Sequence, residues 1–521
     1  MGGQPSAELD QDLVFVGAGA STSYVLLALL ESLRDEPSAA PLRIAVVERA
    51  PDPFTGVPYG SRAARTSLLI TALRDFLPDA ERARFATWLA DNKDWVFDEF
   101  LDAGGSFSAR WWERHQDANR ANDFESLYLP RYTFGEFLAQ RTWKAIREAE
   151  AAGVATTVVL QDDAVAVEPS GSGYLLRCAD RVITARRLVL ATGSAPVLPR
   201  LGHDVGRPDA VLVDDPFADM GAAVARIATA MTRQPGERPP HIAVIGANAG
   251  TMDMLYQLND AAGPGTSEAV FTVVSPSGRL PERVEDGRER RPFAPERLTD
   301  LEQAGAVDAV GVYRAALDDI ARGRAAGLSV SDTLPPISQA VGRLLGRLSE
   351  AETIDFADRW GVELGRHQRR AGWEYCEVVE HLAAEGRLQL VAGAFVDLVA
   401  GETGRLHVRY EADDALHRLD PPVDAVVNCA GPAQSLRHTA PPLLAQLITS
   451  GVCRLTPSGG GIAVDASSLA AAPGLYVMGP LVAGNVVKGA PVWHMEHCGR
   501  ISAFGTALGT DLARSLVTSA G

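Results

Sequence analysis

The chain has 521 residues, of which 46% are apolar and 22% charged, and a formal net charge of −17 at pH 7. That length suits two or three domains with sizeable cores, and the acidic balance excludes nucleic acid and an anionic membrane surface as partners. No apolar run is long enough to span a bilayer, Met1–Asp10 lacks a signal-peptide core and reads as a frayed tail, and the five cysteines include no C-x-x-C pair; a reduced, cytoplasmic protein without a redox dithiol or a metal site is expected.

Leu13, Val14, Phe15 and Val16 form a short strand-forming run that breaks at Gly17 and Gly19. An apolar, helix-periodic segment follows from Tyr24 to Leu33. Strand, glycine turn and helix in this order hold a dinucleotide pyrophosphate: Gly17 for the tight turn, Gly19 for close approach, Ala20 and Ser21 at the helix N-terminus. Thr22 stands where the fingerprint has its third glycine. A second strand, Arg43–Val47, ends in Glu48, an acid placed for the hydroxyls of an unphosphorylated ribose, as in FAD or NAD.

A Pro- and Gly-rich loop, Pro51–Gly60, leaves that strand and is expected to cover the cofactor. Arg62 and Arg65 follow as candidates for a phosphate or a substrate carboxylate. Trp88, Trp95, Trp111 and Trp112 read as helix packing, and Pro130 can open a helix carrying Phe134, Phe137, Leu138 and Trp143. Period-two stretches at 157–160, 164–167, 174–176 and 181–183 predict a short antiparallel meander. It leads to the strand Arg187–Ala191, which ends in Thr192 and Gly193.

Pro235–Pro240 reads as a linker, after which the opening design repeats. His241–Ile245 is a strand, and Gly246 through Asp253 is a turn into a helix. Asn248 replaces the middle glycine, and its tolerance of left-handed dihedrals keeps the turn feasible. The next strand ends at Ser275, followed by Ser277 and Arg279, with no acid; that set suits a 2′-phosphate and favours NADPH over NADH. Residues 295–385 are charged and helical, with a break expected at Leu334-Pro335-Pro336. Strands at 388–391, 396–399 and 406–410 predict a second meander, and Ala425–Gly431 repeats the closing strand, so the chain contains one internal repeat. A last strand ends at Gly479, followed by Lys488, His494 and a final helix. His494–Cys498 lacks the spacing of a metal site.

Several further stretches carry a family resemblance: Gly56–Gly60, Pro130-Arg131 with Gly135–Leu138, Ser275–Pro281, Arg366-His367, and Gly386-Arg387-Leu388 with Val391-Ala392-Gly393. The chain resembles FAD/NAD(P)-binding flavoproteins with two nested dinucleotide domains, from Asp12 to Leu512. Within that group it is most similar to flavin-dependent N-hydroxylating monooxygenases of amino acids, the aspartate N-monooxygenases that form nitrosuccinate in particular. Thr22 and Asn248 depart from both fingerprints, and Ile70 sits where many such proteins have Asn. The Phe-x-Gly-x3-His-x3-Trp pattern of the Baeyer–Villiger type is missing.

The resemblance implies an α/β fold of two Rossmann-like domains: an FAD domain at 11–235 and 433–521, and an NADP domain at 236–432 inserted in it, with a helical insertion near 295–385. It places Gly17, Gly19, Ala20, Ser21, Glu48, Thr192, Gly193 and Gly479 on FAD, and Gly246, Asn248, Ser275 and Arg279 on NADPH. The substrates it implies are an amine or amino acid and molecular oxygen, with an unprotonated amine meeting a C4a-hydroperoxide of the flavin. A dicarboxylic substrate needs cationic contacts, for which Arg291, Lys488, His494 and Arg65 are the candidates, in that order. Two other readings stay open, a reductase or dehydrogenase without oxygen transfer and a non-catalytic flavin-binding redox sensor. The oligomeric state is open as well.

Overall fold

The computed structural model describes residues 8–37, 40–202, 210–233, 238–260, 264–284, 290–305, 307–401, 405–495 and 497–518. The chain opens with β1 (Glu8–Val16), α1 (Ala20–Asp35) and β2 (Leu42–Glu48). Helices α2 (Leu73–Phe76), α3 (Asp79–Ala103), α4 (Ser106–Ala121) and α5 (Tyr132–Ala151) follow, then β3 (Ala155–Gln161), β4 (Ala164–Ser170), β5 (Gly173–Cys178) and β6 (Val182–Leu190). The middle contains β7 (Val211–Val213), α6 (Met220–Arg233), β8 (His241–Ile245), α7 (Ala249–Asp260), α8 (Pro264–Ser267), β9 (Val270–Ser275) and β10 (Glu282–Arg283). Next come α9 (Glu296–Ala304), α10 (Ala309–Ala325), α11 (Val330–Leu345), α12 (Glu350–Asp355), a π-helical turn (Phe356–Trp360), α13 (Gly361–Arg366), β11 (Arg370–Ala371) and α14 (Trp373–Ala384). After β12 (Leu388–Ala392), β13 (Ala394–Ala400), β14 (Leu406–Ala412), β15 (Ala415–Arg418) and β16 (Ala425–Asn428), the chain ends with α15 (Pro442–Thr449), β17 (Ala470–Ala472), β18 (Leu475–Val477), β19 (Asn485–Val487), β20 (Ala490–Val492) and α16 (Cys498–Thr518).

Two parallel sheets share one design. The first orders its parallel strands β3-β2-β1-β6-β18, with β17 at the edge and β4 and β5 hanging from β6. The second orders its strands β12-β9-β8-β16-β7, all parallel. The fifth strand of the first sheet arrives from the C-terminal segment, whereas that of the second precedes its own first strand in the chain. The second unit is thus inserted in the first. It also begins at β7, ahead of the expected boundary at 236, because Val211–Val213 pair with Ala425–Val427.

The strands are apolar because both faces are covered. Ile242 and Val244 join the main core, while Ala243 and Ile245 on the other face pack with Leu406 and Val408 of the small β13-β14-β15 sheet. On the first sheet Val14 to Val16 and most of α1 are buried, with α1 lying against α16. Each fully buried Leu or Val contributes about 1.5–3 kcal/mol of burial, which is what holds this α1–sheet layer.

Four expectations are corrected. Residues 8–10 of the expected tail are strand, paired with Val182–Thr184, while 1–7 lie outside the described residues. Neither meander has its expected first strand: β3 and β12 leave their meanders to pair in parallel with β2 and β9, since each supplies the edge of a nucleotide sheet. The helix does not break at Pro335-Pro336, because α11 starts at a Ser329–Asp332 capping box and buries Ile337, Ala340, Val341 and Leu344 in the insertion's own core. That core spans α9 to α13; α14 instead buries Tyr375, Cys376, Val378 and Leu382 in the main core.

Candidate functional site

At the end of β1, Gly17 has φ +94°, and a Cβ there would lie 2.4 Å from the Ala191 carbonyl oxygen. Only glycine fits. Its N–H donates to Val47 O at 2.8 Å, and Ala191 N–H donates to Val16 O at 2.8 Å, closing the three central strands together. The hydroxyl of buried Thr22 donates to Gly17 O at 2.6 Å, so the threonine in place of the third glycine braces the turn from inside the helix.

Helix α1 starts from Gly19 with no side-chain cap. Its first N–H groups therefore remain for a ligand, with the positive end of the helix dipole behind them. The loop after β2 crosses here: Phe54 N–H donates to Ala18 O at 2.6 Å, and a Cβ on Gly56 would come 3.3 Å from the Gly19 Cα. Gly479, with φ +82°, approaches so closely that a Cβ would lie 2.6 Å from Ser21 Oγ. Glu48 accepts from Ala18 N–H at 2.7 Å and from Ala50 N–H at 2.9 Å, one bond per oxygen, which leaves lone pairs for a ribose diol. Thr192 is exposed, and Gly193 faces open space. An uncapped helix, a side-chain-free approach and a held acid fit the dinucleotide FAD.

The second turn repeats the first bond for bond. Gly246, φ +104°, donates to Val274 O at 2.8 Å, Cys429 N–H donates to Ile245 O at 2.8 Å, and Thr251 Oγ1 donates to Gly246 O at 2.8 Å. A Cβ on Gly246 would lie 2.5 Å from Cys429 O. The difference is Asn248. It is not left-handed, contrary to the reason expected for it. Its Oδ1 accepts from Gly250 N–H at 2.8 Å and Thr251 N–H at 3.2 Å, and its Nδ2 donates to Cys429 O at 2.6 Å. At the end of β9, Ser275 is buried and its Oγ accepts from Gly278 N–H at 3.1 Å, while Ser277 and Arg279 are exposed.

The four candidate cations each have partners of their own. Arg291 is bound into the helical insertion: its Nε and Nη2 donate to the buried Asp332 at 3.2 and 3.1 Å, and Nη2 donates to Gly327 O at 2.6 Å. Its neighbours Arg288 and Glu289 lie outside the described residues. Arg65 lies 4.5 Å over the Tyr132 ring, between Glu99 at 3.8 Å and Glu136 at 3.9 Å. Burial raises the pKa of the Glu136 carboxyl, and Arg65 opposes the shift. Lys488 and Gly489 both have positive φ at the tip of the β19–β20 hairpin, and Lys488 Nζ is 3.7 Å from Asp511. His494 is exposed beside Arg500, which donates to its carbonyl at 3.1 Å. An open groove of about 510 Å³ is lined by Trp88, Phe137, Arg141, Trp143 and Lys144 among others, all from α3 and α5, and includes no nucleotide-turn residue.

A buried polar cluster between the two units escaped the sequence reading. Arg131 pairs with Asp253 on α7. Asp253 also accepts from Ser67 Oγ at 3.0 Å, Tyr375 OH at 3.1 Å and Gln257 Nε2 at 3.2 Å. Tyr375 OH in turn accepts from Leu68 N–H at 2.8 Å. Burial works against the Arg131 charge, but Asp253 and Tyr375 outweigh it and hold its pKa above the usual arginine value. The available signal was an acid inside the apolar helix Thr251–Leu258, which only a buried partner explains.

Residues 14–195 match a family described as FAD-NAD(P)-binding. The chain is 31% identical over 520 residues to an uncharacterized protein of Mycobacterium tuberculosis, covering 97% of this chain and 96% of that one. Among solved structures, L-lysine 6-monooxygenase from Pseudomonas syringae matches with a TM-score of 0.55 at 15% identity, covering 97% of this chain and 99% of that chain. The ornithine N-hydroxylase of Kutzneria sp. 744, with reduced FAD, NADP+ and L-ornithine, matches with a TM-score of 0.53 at 16% identity, covering 98% and 100%. No helix among the described residues is long and apolar enough to cross a membrane.

Proposed function

This chain belongs to one family with the mycobacterial protein, built on an FAD-NAD(P)-binding domain, and from that premise we propose that it is an FAD-dependent, NADPH-consuming monooxygenase that N-hydroxylates a polar amino acid. The observation that carries the reading is the pair of nucleotide turns, closed by the same 2.8 Å backbone bonds in two nested sheets. The fold shared with a lysine and an ornithine hydroxylase over nearly the whole chain supports amine chemistry. The choice of L-aspartate, through to the nitro product, rests on the sequence resemblance.

The chemistry that FAD would supply when bound is the oxidation of NADPH and the transfer of oxygen to an amine nitrogen. Gly17 and Gly19 let the backbone reach its pyrophosphate, the α1 N-terminus donates to it, and Glu48 takes the ribose. The loop that crosses Gly19 presents Val57 as an exposed apolar side chain, 37% accessible, suited to shield a bound cofactor from water. Arg291 is held by the buried Asp332 inside the helical insertion, whereas Arg65, Lys488 and His494 are at least partly exposed and stay candidates for the substrate carboxylates, with Arg279 and Ser277 for the 2′-phosphate.

The test is aerobic NADPH oxidation by the FAD-loaded protein with L-aspartate, L-lysine and L-ornithine, assaying peroxide and N-oxygenated products in parallel. The expected outcome is faster oxidation with L-aspartate and a hydroxylamine or nitro product. Oxidation that yields peroxide alone with every amine sinks N-hydroxylation of these substrates and favours the reductase.

A further inference from the structure

We propose that the Asn248 carboxamide stands in for a phosphate at the second glycine turn, so that a nicotinamide dinucleotide binds by displacing it. The proposal rests on the NADPH-dependent reading above. The two turns match in strand order, in the bonds of their first glycine and in the threonine that braces it, with Thr22 Oγ1 2.6 Å from Gly17 O and Thr251 Oγ1 2.8 Å from Gly246 O. They differ at the helix N-terminus. Helix α1 has no side-chain cap. At α7, Asn248 Oδ1 takes the N–H groups of Gly250 and Thr251 at 2.8 and 3.2 Å, the groups a pyrophosphate oxygen would take. Nδ2 then anchors the carboxamide to Cys429 O at 2.6 Å, on the closing strand of the same sheet.

The seat is closed from a second side. The Phe217 ring lies so close over Gly250 that a Cβ there would be 2.4 Å from Cζ. Asn248 itself is only half-buried, so rotation about its side-chain torsions carries the carboxamide towards solvent. On exchange, the two N–H groups pass from amide oxygen to phosphate oxygen, while the bond to Cys429 O is lost without replacement. The asparagine thus lowers the affinity for the dinucleotide by the worth of that bond, about tenfold.

Helix capping alone predicts the opposite result, since removing a cap weakens the helix that would hold the ligand. The experiment titrates FAD-loaded protein with NADP+ by calorimetry and by perturbation of the flavin spectrum, without turnover. Asn248→Gly and Asn248→Ala are expected to bind NADP+ about tenfold more tightly than the unaltered protein, with flavin content unchanged. Asn248→Asp keeps the acceptor oxygen and its helix cap, loses the donor to Cys429 O and sets a fixed negative charge against the pyrophosphate, which outweighs the lost anchor, and is expected to bind at least tenfold more weakly. This isosteric variant decides the matter if the smaller residues disturb folding. Equal or weaker binding by Asn248→Gly and Asn248→Ala, or unchanged binding by Asn248→Asp, overturns the role of Asn248 and leaves the cofactor reading standing. No NADP+ binding by any form overturns both.

Discussion

At Thr22 and Thr251 a hydroxyl takes the place of the third fingerprint glycine, and each donates to the carbonyl of its own first glycine, at 2.6 and 2.8 Å. The two departures are the same device used twice, which a one-dimensional comparison with a glycine pattern scores as two defects. The opposite lesson comes from Arg291, whose place between the second nucleotide strand and an apolar pair suggested a substrate contact. Its guanidinium instead neutralises Asp332, whose side chain is fully buried. Arg291→Ala is expected to lower stability by about 2 kcal/mol, because the buried carboxylate keeps its backbone and Ser329 donors but loses its counter-charge, without raising KM for an amine substrate. Thermal unfolding and steady-state kinetics on one preparation check this; an unchanged melting point with a raised KM returns Arg291 to the substrate site.

At the scale of elements, helix α7 is held at two points. Asn248 caps its start, and one turn further on Asp253 joins Arg131, Ser67, Tyr375 and Gln257. The second bundle of contacts ties α7 to the loop at 66–68 and to Arg131 of the first unit, so the two nucleotide turns share a frame. Arg131→Met leaves Asp253 buried and uncompensated and is expected to cost about 3–5 kcal/mol. Replacing Asp253 by Asn in the same background is expected to recover part of the loss. Denaturant unfolding of the single and double variants measures the coupling; additive losses would show that the pair contributes little.

Over the whole molecule, all five cysteines are free and buried, in separate places. Burial pushes the Cys178, Cys376 and Cys498 thiols up to about 12 and Cys453 up to about 11, and raises Cys429 as well. Raised folded-state values favour the protonated thiol in the fold. The stability they contribute is fully present below about pH 9, the unfolded value, and is lost as pH rises towards 12. The native protein is expected to react with no thiol reagent at pH 8 and to expose five thiols in denaturant. Its unfolding midpoint is expected to fall on the alkaline side, above about pH 9. Reagent titration and a pH series of unfolding curves check both; a rapidly reacting native thiol would contradict the buried placement.

Local pattern determined much of this protein. The two glycine turns, the acid at Glu48, the strand endings at Thr192 and Gly479 and the nesting of one unit in another were legible because each depends on neighbours in sequence: a run of strand formers, a turn only glycine allows, a helix start. Tertiary structure alone decided the rest. Whether 155–161 and 388–392 join a meander or the edge of a parallel sheet depends on the strand beside them. Whether Pro335 ends a helix depends on the capping box and the core that α11 buries. Whether Arg291, Arg65 or Arg131 is free for a ligand depends on carboxylates 34 to 122 residues away. A side chain's residue type sets the charge it brings, but long-range packing selects its partner, and that selection has no period or spacing in the sequence.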